Sequence, residues 1–289
     1  MKLIDKPTTD PVEIYDACVL GITNITLAAR LAAAKCHIVN NNTYYIKCAS
    51  ENQLWVLTAS NLGNDEQIVF ADIKKGELKD LYSRHFVGGK PEARKHYDAL
   101  MMLAPLGKCP LCGFGHASTL DHFLPKSRYP AFSVFNLNLI PACTDCNKQK
   151  GFSEATLQKQ ALHPYFENQI VEDDCWLFAE VIESTPATAR FYVSPPTSWE
   201  PDLKKRLENH FTDLELARRF AVEAASELAG LADLLENLEG SLMRREHLSR
   251  VAKSERRVRK NSWQAALYDA ISNSGWFVER GFQPQTTLE

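Results

Sequence analysis

The sequence predicts an α+β protein, with a compact zinc-stapled strand–loop–strand–helix motif set between mainly helical N- and C-terminal regions. Three observations predict this. Two Cys-x-x-Cys pairs, Cys109/Cys112 and Cys143/Cys146, are separated by thirty residues. Two short stretches of strand character lie between them, and helical periodicity resumes only on the flanks. The predicted organisation is 1–105 (mainly helical), 106–165 (the motif) and 166–289 (a short strand pair, then helices).

Composition sets the bounds. The 289 residues are 45% hydrophobic and 24% charged, with a net charge of −3. That is enough apolar surface to build a core and excludes disorder as a class. It also excludes a uniformly basic nucleic-acid coat, though not a local basic face. No apolar run reaches the ~18 residues of a membrane span, and the start, MKLIDKPTTD, lacks a signal-peptide core. A soluble, cytoplasmic bacterial protein with reduced cysteines is expected, with no membrane partner.

In the N-terminal region, residues 22–35 read as a helix ended by Asn40-Asn41-Asn42. Residues 54–57 fit a short strand or a helical turn. Residues 76–86 and 91–103 read as two amphipathic helices parted by Gly88-Gly89, with Pro91 suited to a first helical turn. In the C-terminal region, 174–183 and 189–193 read as a strand pair, with Thr185-Pro186 near the turn. Helices follow at about 199–210, 213–237, 241–259 and 261–273, the second with Asp213 as its expected N-cap. Residues 213–239 carry seven acids and two bases, whereas 244–260 carry eight bases and two acids. The basic block fits either a solvated helix face or a surface that contacts phosphates or a partner.

Within the motif, strand character falls at about 117–123 and 135–141, and the second Cys pair opens a short helix through Lys148. In a reducing compartment two such pairs read as one four-thiolate zinc site. A redox Cys-x-x-Cys is the rival reading, but redox work does not need two. The remaining cysteines, Cys18, Cys36, Cys48 and Cys175, have no motif spacing and read as small buried hydrophobes.

The residues between and after the pairs are Asp121-His122, then Asn138, then Asn147 directly after Cys146. In this order they resemble the HNH nuclease superfamily, with its ββα-metal fold, in its zinc-bearing branch. The resemblance covers about forty residues. It implies His122 as general base, Asp121 and Asn147 as oxygen ligands of a divalent ion, and Asn138 as the residue holding the inter-strand loop. Asn136, two residues away on the same face, is the alternative to Asn138. The chemistry agrees: an imidazole titrates near neutrality, and oxygen donors suit Mg²⁺ or Mn²⁺. Asn147 stands where the family name has His, which favours an oxygen-only site over Ni²⁺ or Zn²⁺. Products with 5′-phosphate and 3′-hydroxyl ends are implied.

Adjacent strand residues face opposite sides, so a bulge or a strand end is expected at Asp121-His122. Lys126, Arg128, Lys148 and Lys150 are candidate phosphate contacts. His116 and His163 are expected to be structural. The flanking stretches, among them 162–166 and Asn261-Ser262-Trp263, also resemble the HNH nuclease subunit of Septu-type antiphage systems. That resemblance implies an ATPase partner subunit and DNA as substrate. The alternatives are a non-catalytic zinc module that binds nucleic acid or protein, and a nuclease acting on RNA.

Overall fold

The computed structural model describes residues 1–151 and 154–283. The chain divides into two compact units, Met1–Glu167 and Asn168–Glu289. Its fold is mixed α+β, and the described residues form three separate two-stranded antiparallel sheets among helices. Among the described residues no helix is long and apolar enough to cross a membrane.

The first unit opens with α1 (Pro11–Leu20), whose Asp10 side chain caps the Val12 amide at 2.8 Å. Asn24 caps α2 (Ile25–Ala33) in the same way. The expected helix over 22–35 is therefore shorter at both ends. The expected break at Asn40–Asn42 is not there: α3 (Lys35–Ser50) runs through it. Its buried residues Ile38, Asn42, Tyr45 and Ala49 recur every three or four positions, so packing of that face overrides the poor helix propensity of asparagine. Leu54–Val56 is a single 3₁₀ turn.

A small hairpin that the sequence did not signal pairs β1 (Ile68–Phe70) with β2 (Ile73–Lys74). Next comes α4 (Lys75–Asp80), which passes directly into a π-helical stretch over Leu81–Val87. Gly88 caps it, and Gly89 follows where a β-carbon would lie 2.0 Å from the His85 carbonyl oxygen. Pro91 then starts α5 (Pro91–Met101).

β3 (Thr119–His122) and β4 (Leu139–Ala142) pair in register, Thr119 opposite Ala142 and His122 opposite Leu139. Helix α6 (Thr144–Lys150) follows directly. Leu120, Val134 and Leu139 of this motif pack in one core with Ile14, Leu31, Leu78, Phe86 and Leu100. The N-terminal helices and the motif are thus one folded body, and residues 1–105 form no separate core.

The second unit begins with α7 (Ile170–Asp173) and a regular hairpin, β5 (Leu177–Ile182) with β6 (Thr188–Val193). Helices α8 (Pro201–Asp213), α9 (Leu216–Glu236), α10 (Gly240–Val258) and α11 (Trp263–Asn273) complete it. Asp213 is not an N-cap: it is the last residue of α8, and the break comes at Glu215, whose φ is +49°. Helix α9 packs on β6 through Phe220 against Phe191, ring centroids 5.6 Å apart. Asn261 braces the start of the hairpin. Its Oδ1 accepts from the Trp176 amide at 2.9 Å and its Nδ2 donates to the Asp174 carbonyl at 2.8 Å. Ser262 caps α11.

Candidate functional site

Both cysteine pairs sit on tight turns, each of which brings one backbone amide to a thiol, Gly115 to Cys112 and Cys146 to Cys143. In the first, the Cys109 amide donates to the Gly115 carbonyl at 2.7 Å and the Gly113 amide to the Cys109 carbonyl at 2.8 Å. Gly113 has φ +80°, a conformation that disfavours a side chain. In the second, Cys143 caps α6, with its sulfur 3.5 Å from the Cys146 amide.

The four buried sulfurs lie within 4.8 Å of one another, and those of Cys112 and Cys143 are 3.8 Å apart. A disulfide needs about 2.05 Å. A tetrahedral zinc ion with Zn–S near 2.3 Å places sulfurs about 3.8 Å apart. Gly115 closes the cradle: a β-carbon there would lie 2.9 Å from Cys143 Sγ. The donor set, its burial and its spacing fit structural zinc. Of the other cysteines, Cys18 and Cys48 are buried as expected, but Cys36 is exposed and Cys175 only half-buried. Their place on the helix surface or at an element's edge, which spacing does not reveal, sets that difference.

Asp121 and His122 lie at the C-terminal end of β3. The ladder has no bulge there; the strand simply ends, and the next amide, Phe123, donates to the Asn138 carbonyl at 2.7 Å. Both residues are buried, at 6% and 8% exposure. His122 Nε2 lies 2.8 Å from the Ser133 carbonyl oxygen. A carbonyl can only accept, so Nε2 carries the proton and Nδ1 keeps its lone pair. Burial, then the nearby charges of Lys126 and Lys150, push the His122 pKa down to about 3, and the ring is neutral. Tyr82 packs against it edge-on, centroids 4.3 Å apart. The ring thus presents Nδ1 as its acceptor atom, but burial makes it a weaker base than the near-neutral imidazole expected from the sequence.

The Asp121 carboxylate pairs with Lys150 at 2.8 Å, and the same ammonium donates to the His122 carbonyl at 2.6 Å. Burial raises the Asp121 pKa while Lys150 opposes that shift. Two oxygens, the Asp121 carboxylate and the His122 carbonyl, thus converge on the Lys150 ammonium. Asn147 stands three positions before Lys150, hence on the same side of α6; it is partly exposed.

Asn138 is fully buried and holds the loop between the strands. Its Oδ1 accepts from the Leu124 amide at 2.7 Å and from the Tyr45 hydroxyl at 3.1 Å. Its Nδ2 donates to the Leu124 and Phe132 carbonyls at 3.0 and 3.2 Å. Asn136 instead bonds the Thr9 carbonyl, outside that loop. Tyr45, which sequence reasoning missed, also meets His163 Nε2 at 3.1 Å. His163 stacks on Phe123 at 3.9 Å, and its Nδ1 accepts from the Tyr165 amide, a packing role. His116 is exposed, beside the first knuckle.

The four candidate phosphate contacts differ in their surroundings. Lys126 lies over the Tyr82 ring and bonds Ser83, Arg128 pairs with Glu154, and Lys150 holds Asp121. Lys148 is exposed.

No protein-family model matches this chain, and no solved structure matches it significantly. Among curated proteins it is 31% identical over 232 residues to protein ea31 of Escherichia phage lambda. The match covers 79% of this chain and 78% of that protein, far more than the motif alone. On that similarity the chain belongs to the family of phage lambda protein ea31.

Proposed function

We propose that the protein is a metal-dependent endonuclease of the HNH type that hydrolyses DNA phosphodiester bonds. The observation that carries this reading is the oriented imidazole of His122, neutral and bare at Nδ1, beside a carboxylate that already gathers positive charge. Hydrolysis of a phosphodiester needs a base for water and charge relief at the phosphate and leaving oxygen. His122 takes the proton from the attacking water. Asp121 and Asn147 would hold Mg²⁺ or Mn²⁺, which when bound supplies Lewis-acid charge at the scissile phosphate. Asn138 keeps the loop and the strand end in register, and Lys148 offers an exposed charge to the backbone. The zinc site pins the hairpin and the helix together.

By the resemblance of its flanking stretches to the nuclease subunit of Septu-type systems, we propose that the protein is the nuclease of an antiphage system that works with an ATPase subunit. The Asp213–Lys260 region, with its opposed acidic and basic blocks, is where such docking is expected. One observation favours the alternative of a non-catalytic zinc module: Asp121 and His122 are buried and already engaged by Lys150 and Ser133.

The test incubates the zinc-loaded protein, alone and with co-expressed neighbouring subunits, with supercoiled plasmid or folded RNA in Mg²⁺ or Mn²⁺. Plasmid nicking that stops in chelator supports the reading. Cleavage of RNA alone would move the substrate class. No cleavage under any condition would leave the zinc-module reading.

A further inference from the structure

Lys150 is the last residue of α6, the helix that Cys143 caps and Cys146 anchors. Its ammonium lies 2.8 Å from Asp121 Oδ2 and 2.6 Å from the His122 carbonyl oxygen. A carboxylate and a backbone carbonyl are the donors that hard divalent ions choose. Here they hold a tethered monovalent cation instead. The pair has little water around it, the side chains being 8% and 18% exposed. A buried carboxylate without a partner is strongly unfavourable, so Lys150 neutralises the site in the resting protein. A divalent ion on the same oxygens would meet that positive charge at contact distance.

We propose that Lys150 is the resident cation of the Asp121–His122 site, and that a divalent ion enters only by displacing it. The long, flexible stem lets the ammonium swing out along the Phe123 ring, which it already overlies at 4.9 Å, toward solvent or an arriving phosphate. Metal binding and lysine release are then one event. The site stays closed to adventitious ions until metal and a new anionic partner for Lys150 arrive together. The zinc knuckle has a part in this, because Cys143 and Cys146 fix the start of α6 and so the helix that carries Lys150.

This inference rests on the nuclease reading for its substrate, but its test reads metal binding. Full-length zinc-loaded protein is titrated with Mn²⁺, following free Mn²⁺ by electron paramagnetic resonance. Lys150→Met is expected to bind at least about tenfold more tightly than the wild type, Lys150→Arg to stay close to it, and Asp121→Asn to lose the site. Zinc content and melting temperature check that each variant is folded. In the wild type, saturating Mn²⁺ should raise labelling of Lys150 by an amine reagent, read by mass spectrometry. Unchanged or weaker Mn²⁺ binding by Lys150→Met, or unchanged Lys150 labelling, would overturn the proposal. Tighter binding in a protein that cuts nothing would keep it and remove the nuclease reading.

Discussion

The Ser133 carbonyl accepts a hydrogen bond from His122 Nε2, which settles where the ring proton sits and leaves Nδ1 as the basic atom. The same burial has a cost in acid. An unfolded imidazole titrates near ~6.5, whereas the folded ring titrates at about 3. As pH falls through that window the unfolded chain binds the proton first, so the stability His122 contributes is lost on acidification. The stability difference between wild type and His122→Leu, from chemical denaturation, should shrink from pH 7 to pH 4; a flat difference would contradict the assignment. Asn138→Ala removes four hydrogen bonds in a dry loop, and a loss of about 2–5 kcal/mol is expected by the same measurement. Asp121, His122 and Asn138 were readable in the sequence because their order relative to the cysteines is itself a pattern. Tyr45 was not: it meets Asn138 across 93 residues, and a lone tyrosine in a helix has no spacing that announces such a bond. Lys150 was read as a phosphate contact, since its ion pair with Asp121 appears only once the hairpin and α6 are folded together.

Helices and strands were legible where local chemistry decided them. Pro91 marks the start of α5, and the strand pair read at 174–183 and 189–193 lies close to β5 and β6; α1 was not singled out. They were misread where packing decided. Three asparagines fail to break α3 because Asn42 lies on its buried face. Helices α8 and α9 part at a left-handed Glu215 rather than at the better cap, Asp213. The β3–β4–α6 element depends most on its metal, since a four-thiolate zinc site is worth on the order of 10 kcal/mol in small modules. Stripping zinc with a chelator should speed hydrogen exchange at the amides of Thr119–His122, Leu139–Ala142 and α6. The hairpin β5–β6, which has no thiolates from the cluster, should keep its protection. Cys146→Ala should behave like the stripped protein; unchanged exchange and zinc content would contradict a structural role for the ion.

At the scale of the whole molecule, two units are joined in one chain of net charge −3. Charge is unevenly placed, and the second unit explains part of that. Arg244 and Arg256 of α10 turn to carbonyls and to Asp269, while Arg250, Lys253 and Arg257 are exposed and fall on one side of the helix. Replacing Lys253 and Arg257 with glutamate should weaken DNA binding and flatten its salt dependence, with zinc content unchanged. Unaltered binding would leave the stripe to solvation or to a protein partner. The similarity to ea31 spans 79% of the chain, so what the family shares reaches well past the forty-residue motif that the sequence made legible. The flanks carried less signal because helices on a shared core are specified by packing, which many sequences satisfy.

The most direct test of the whole account compares wild type with His122→Ala, matched for zinc content and melting behaviour, on supercoiled plasmid with Mg²⁺. The account predicts nicked product with ligatable 5′-phosphate ends from the wild type and a loss of at least about a hundredfold in the variant. Equal cleavage by the two proteins would contradict it.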